Sequence, residues 1–144
     1  GNPVRLRPET MGKSAMLGSL EDTLEMSRSV PGVEPCVDFA HLHARPGDGS
    51  INTYAEFAQA LEQIGAILGA AGLTNLHIHL SGIAYGPKGE KEHLVLKEAD
   101  LNYAELFKAL FDFKCAGRIL CESPVMEEDA LVLKSTWCAI SGEA

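Results

Sequence analysis

The chain has 144 residues, of which 46% are hydrophobic and 22% charged, a composition that suits one globular domain with a single core. Twelve lysines and arginines face twenty aspartates and glutamates, a net charge of −8, so the average surface repels polyanions. A nucleic-acid partner would then need a local basic patch or bound cations. No apolar run approaches the roughly 20 residues that a membrane helix requires. Cys36, Cys115, Cys121 and Cys138 show neither a CxxC pair nor even spacing, which points to buried thiols in a reducing compartment rather than a disulfide framework.

The opening Gly1-Asn2-Pro3-Val4-Arg5 lacks the basic-then-apolar pattern of a signal peptide and an initiator Met. A cytoplasmic location is expected, and the chain reads as a fragment of a longer protein. Val4 to Arg7 forms the first short apolar run and leads into Pro8-Glu9-Thr10 and a Gly-containing loop. Ser19-Leu20-Glu21-Asp22 then opens a helix with a capping-box pair, and Pro31-Gly32 stops it.

Cys36 to His41 is the second run, followed by a loop holding Arg45-Pro46-Gly47-Asp48-Gly49. Thr53-Tyr54-Ala55-Glu56 is another capping box. Tyr54, Phe57, Ala58, Leu61, Ile64, Gly65 and Leu68 follow at helical spacing, with Gly69 and Gly72 marking the end. Leu76-His77-Ile78-His79-Leu80 alternates with period two, as a strand should. Ser81 to Glu98 is expected to be a long loop, rich in glycine. Tyr103, Leu106, Phe107 and Leu110 stripe the next helix, capped by Asp100 or Asn102. The fourth run, Arg118 to Glu122, ends at Ser123-Pro124. A last helix begins at Glu127-Glu128-Asp129, where acids suit the dipole, and carries Ala130, Leu133 and Trp137.

Strict alternation of strand and helix means parallel strands joined by crossovers. Parallel sheets are covered on both faces, yet four helices with one apolar stripe each shield only one. An eight-unit barrel takes about 250 residues, or about 31 per unit. The chain is therefore expected to be an α/β fold, a (β/α)4 half of a TIM barrel spanning 1–144, rather than a self-contained flavodoxin-like sheet. Its edges and inner strand faces would be closed by a second copy or by a missing N-terminal half.

Each run ends in a potential metal ligand: Glu9, Asp38, His79 and Glu122. C-terminal strand ends of a parallel barrel share one rim, where active sites assemble. Any one of these acids could be a helix cap or a salt-bridge partner; recurrence at all four ends is what suggests one divalent cation. Three carboxylates and an imidazole suit zinc, manganese or magnesium. His41 and His93, in loops beside the rim, could serve a second cation or be solvated loop histidines. His77 lies deeper, where a packed histidine bonded to backbone is expected, and His43 is a weaker candidate. Lys88 or Lys91 could reach a phosphate. GxGxxG, GxxxxGK[ST] and GxSxG patterns are all missing, so nucleotide-loop and serine-hydrolase readings have no support.

Pro8-Glu9-Thr10 with Gly12, Cys36-Val37-Asp38-Phe39-Ala40-His41, His79-Leu80-Ser81-Gly82 and Leu120-Cys121-Glu122-Ser123-Pro124 resemble the endonuclease IV family of the xylose isomerase-like barrels. The resemblance covers the whole chain and implies strands five to eight. It also implies cleavage of DNA at abasic sites, in DNA repair, with two or three zinc ions per full barrel. Glu9, Asp38, His79 and Glu122 would hold one metal. His41 and His93 would serve a second, and the remaining one would share Glu9 with histidines of the missing half. The sequence departs from the family at Lys91, where an Asp is usual, with Glu90 and Glu92 on either side, and at Gly82, where another Asp is usual. The same four ligands occur in related sugar isomerases and epimerases, which use one divalent ion, often manganese; there Glu9 and Glu122 would act as acid and base. An isolated half is expected to be inactive.

Overall fold

The computed structural model describes residues 4–142; the opening Gly1-Asn2-Pro3 lies outside them. A three-stranded parallel sheet forms the centre. Strand β1 (Cys36–Asp38) and strand β5 (Gly117–Cys121) flank β2 (Leu76–Leu80). The run before Pro8 extends this sheet by one position but makes only isolated parallel bridges, Leu6 to Val33 and Glu9 to Cys36. Four parallel segments thus lie side by side, with helices between successive ones.

Helix α1 (Leu20–Ser29) and helix α3 (Tyr54–Thr74) begin at the capping boxes read from the sequence. Ser19 and Thr53 accept from the backbone of Asp22 and Glu56, whose side chains return the bond. Helix α4 (Tyr103–Asp112) is capped by Asn102 rather than Asp100. Helix α5 (Glu127–Ser141) starts on three acids. At Gly69 the backbone leaves the helical region (φ 70°, ψ −171°), so the first stretch of α3 ends there as expected and a second stretch runs on across the kink to Thr74.

Two expectations change. The second strand stops at Asp38, because Asp38 Oδ1 accepts the N–H of His41 at 2.8 Å and starts a short helix α2 (Phe39–Ala44). His41 therefore stands on a helix. The expected long loop after Leu80 is an antiparallel hairpin, β3 (Gly82–Gly86) with β4 (Gly89–Leu94), followed by a 3-10 turn at Leu96–Glu98. His93 thus belongs to a strand. Gly89 permits the tight turn: its φ is +95°, and a Cβ there would meet the Gly12 carbonyl oxygen at 2.2 Å.

Alternation in β2 sorts the side chains. Leu76, Ile78 and Leu80 are buried in the apolar core, whereas His77 and His79 lie on the other face. The core gathers Phe39, Phe57, Leu61, Ile64, Leu106, Phe107 and Leu133 with these strand residues. Each such side chain contributes about 1.5–3 kcal/mol through burial. The opposite face has little cover: Leu120, in register with His79, is 46% exposed. No helix of the described residues is long and apolar enough to cross a membrane.

Truncating Leu61, fully buried, to Ala should cost about 2–5 kcal/mol in urea unfolding, whereas Leu131→Ala on the exposed side of α5 should stay within about 0.5 kcal/mol. Equal losses would contradict a core lying between sheet and helices.

Candidate metal centre

Glu9, Asp38, His79 and Glu122 each bring one ligand atom within 4.8 Å of the others. The sheet makes this convergence. Asp38 pairs in register with His79 across β1 and β2, Glu122 follows the last residue of β5, and Glu9 bridges to the start of β1. His79 Nδ1 stands 3.1 Å from Glu122 Oε1 and 3.3 Å from Glu9 Oε1.

Asp38 is both a helix cap and a candidate ligand. One oxygen caps α2; the other, Oδ2, is buried without a hydrogen-bond partner. Thr10, fully buried, holds the strand here, accepting the Asp38 N–H at 2.9 Å and donating to the Asp38 carbonyl at 3.2 Å. Burial pushes the Asp38 carboxyl above its ordinary range, and neighbouring Glu9 and Glu122 add to that while His41 opposes it. For His41 burial alone would lower the pKa. Asp38, the Thr10 carbonyl, Glu90 and Glu9 outweigh it, and the net direction is up.

The imidazoles are oriented by their second nitrogens. A carbonyl oxygen only accepts, so the 2.9 Å contact of His41 Nδ1 with the Thr10 carbonyl places a proton on Nδ1. His93 Nδ1 donates likewise to the Glu122 carbonyl at 3.0 Å. In their neutral forms both rings keep a lone pair on Nε2, and these two atoms lie 3.4 Å apart. The resulting arrangement, ligand nitrogen forward and backbone-bonded nitrogen behind, is common to metal-binding histidines. With Asp38 these two rings form a second group of ligand atoms within 4.8 Å.

His77 does not bond backbone, as its depth in the strand suggests it would. Instead its Nε2 lies 3.3 Å from His79 Nε2. Burial, then neighbouring His79, Arg7 and Arg118, hold His77 below the ordinary imidazole range. A neutral His77 can accept the His79 Nε2–H, which leaves the His79 Nδ1 lone pair facing the carboxylates. Cys36 lies near enough to both rings to count as a third group, but burial, then Glu9, Asp38 and Glu122, push its thiol up to about 12. His43 is fully buried away from the cluster, between the Ser50 carbonyl at 2.7 Å and Asp100 Oδ1 at 3.1 Å, and ties α2 to the loops at Ser50 and Asp100. Arg45, unmarked by any sequence signal, fixes the loop after Glu9 by donating to the carbonyls of Met11, Lys13 and Met16.

Among the described residues the buried side-chain polar atoms without hydrogen-bond partners are Asp38 Oδ2, His79 Nδ1, Ser81 Oγ and Glu90 Oε2. Three of these four lie in or against the cluster. Buried polar atoms are normally partnered, and a divalent cation would satisfy atoms of this kind, so the donor set fits a metal.

Residues 2–136 match the family described as Xylose isomerase-like TIM barrel. The Methanocaldococcus jannaschii protein described as "Uncharacterized protein MJ0133" is 45% identical over 130 residues, 90% of this chain and 47% of that relative. The chain thus spans about half the length of the curated relative it matches. A solved structure described as "The crystal structure of AsfvAP:AG" aligns with a TM-score of 0.61 at 16% identity, over 97% of this chain and 53% of the other, and bears on fold alone. Parallel strands, intervening helices and a cluster at the C-terminal strand ends agree with a partial TIM-barrel-like domain. The chain belongs to the xylose isomerase-like TIM barrel family.

Proposed function

We propose that the rim cluster is a divalent-metal centre, with zinc its cation, and that the chain is the metal-holding half of a phosphodiester hydrolase that acts on DNA at abasic sites, as endonuclease IV does. One observation carries the choice. Beside the four-ligand group, His41 and His93 bring a second pair of ring nitrogens to 3.4 Å of each other. Glu9, Asp38, His79 and Glu122 alone would serve a sugar isomerase or epimerase with one manganese equally well; that chemistry has no use for a second converging pair.

Bound zinc supplies Lewis acidity toward a phosphoryl oxygen, a water of lowered pKa, and positive charge that an acidic chain otherwise lacks. The remaining work falls to the protein's own groups. Asp38 is kept dry and fixed by Thr10 and the N-terminus of α2. Backbone carbonyls of Thr10 and Glu122 set the tautomers of His41 and His93. A neutral His77 can accept from His79 Nε2, 3.3 Å away. Glu9 and Glu122 have side chains 30% and 36% exposed, so they stand at the mouth, where a substrate would arrive.

Closure of the inner face belongs to the same reading. Among the described residues β5 and the Leu6–Glu9 segment pair on one side only, and Leu120 on the inner face lies exposed. An N-terminal half-barrel, or a second copy in its place, would cover them.

On this basis Glu122→Gln should weaken zinc binding about 100-fold or more in a chelator competition, and His77→Gln, which removes only a hydrogen-bond partner, about tenfold. Equal effects would count against the rim assignment. The zinc-loaded full-length protein that contains this sequence should nick a duplex carrying a tetrahydrofuran abasic analogue, and E122Q should abolish it. Interconversion of an aldose and a ketose with one manganese, and no nicking, would favour the isomerase. By light scattering the 144-residue chain alone should self-associate; a stable monodisperse monomer would argue against an uncovered inner face.

A further inference from the structure

We infer that Asp129, buried at the start of α5, is a positioning residue for the rim cluster. It locks the segment after Glu122 to the end of the hairpin that carries His93. This role rests on the rim reading above and goes beyond it, because Asp129 is itself in neither group of donors.

Helix α5 begins unlike α1 and α3. Met126, just before it, has a φ of +38°, a left-handed backbone that a residue with a Cβ adopts only at a cost. No side chain caps the helix. Asp129 stands third in it, the position from which Asp22 and Glu56 return a bond to the caps of α1 and α3. Asp129 turns elsewhere. Its Oδ2 accepts the Ser123 Oγ–H at 2.5 Å and the Leu96 N–H at 2.8 Å. Asp129 and Ser123 are both buried. A carboxylate away from water needs such donors, and hydrogen bonds to a charged acceptor are roughly twice as strong as neutral ones.

Both donors adjoin rim groups. Ser123 follows Glu122, whose side chain faces His79 and whose carbonyl accepts from His93 Nδ1. Leu96 opens the 3-10 turn that follows β4, three residues after His93. The sheet fixes the near side of Glu122, since its N–H donates to the Leu80 carbonyl at 3.0 Å. The far side is held through Ser123. Met126 donates its N–H to the Ser123 carbonyl at 2.9 Å, so the chain turns back at the strained residue and brings Asp129 over Ser123. Two ties therefore join the end of β5 to the hairpin: the His93–Glu122 bond at the rim and Asp129 behind it. Releasing Ser123 would let the Glu122 carboxylate and carbonyl drift together from His79 and His93.

The test is zinc affinity by chelator competition, with cobalt absorption reporting ligand geometry and circular dichroism reporting the fold. Asp129→Ala should weaken zinc about tenfold or more and shift the cobalt bands, as loss of a partner behind a ligand does. Asp129→Asn keeps a side-chain oxygen for both donors and should recover most of the affinity and the original bands. Leu61→Ala, which weakens the core on α3, should lower stability and leave both readouts unchanged. Should Asp129→Ala not fold, Ser123→Ala decides: it removes one of the two bonds and should weaken zinc severalfold with a similar band shift. Readouts in Asp129→Ala or Ser123→Ala that change no more than in Leu61→Ala would overturn the positioning role and leave the rim reading standing. An unaltered chain that binds no zinc would overturn the rim reading and the role of Asp129 with it.

Discussion

Three carboxylates and an imidazole crowd within 4.8 Å at one end of a parallel sheet, and the rest of the arrangement follows from that crowding. Burial raises the pKa of the Asp38 carboxyl, and the nearby charges of Glu9 and Glu122 raise it further. A cation coordinated there would offset the cost of ionising that carboxyl. Some of the acidic residues behind the net charge of −8 are thus gathered at this one end of the sheet.

Backbone carbonyls do much of the selection. Thr10 and Glu122 each fix which nitrogen of a histidine carries the proton, and Glu122 offers its side chain to one group while its carbonyl orients His93 toward the other. The two groups are thus joined mechanically as well as electrostatically. A shift of the segment after β5 would move a ligand of the first group and the anchor of the second together.

The rim was legible in the sequence because Glu9, Asp38, His79 and Glu122 each follow a short apolar run, and parallel strands bring such ends together. Both capping boxes were legible for a similar local reason. The hairpin was not. Its second strand, Glu90 to His93, is charged, with none of the β-branched residues that mark strands, and its stability comes from pairing with β3 and from the contact of Gly89 with Gly12, far apart in sequence. Nor was the role of His77: a period-two pattern shows that it shares a face with His79, but not which ring nitrogen meets which. Asp38 shows why sequence could not separate a cap from a ligand, since its two oxygens divide those roles.

The two groups of donors depend on different kinds of structure. Donors of the first sit at strand ends, where the register of the sheet fixes them, and moving one means breaking parallel pairing through the core. The second draws on a buried six-residue helix and on a hairpin whose second strand is largely solvent-facing. In that hairpin Tyr85 pairs with Glu90 and Ala84 with Glu92, so one extra residue in β4 exchanges the faces that period-two alternation would give. In a barrel of this construction the first group of donors is fixed by the sheet, and the second depends also on a short hairpin.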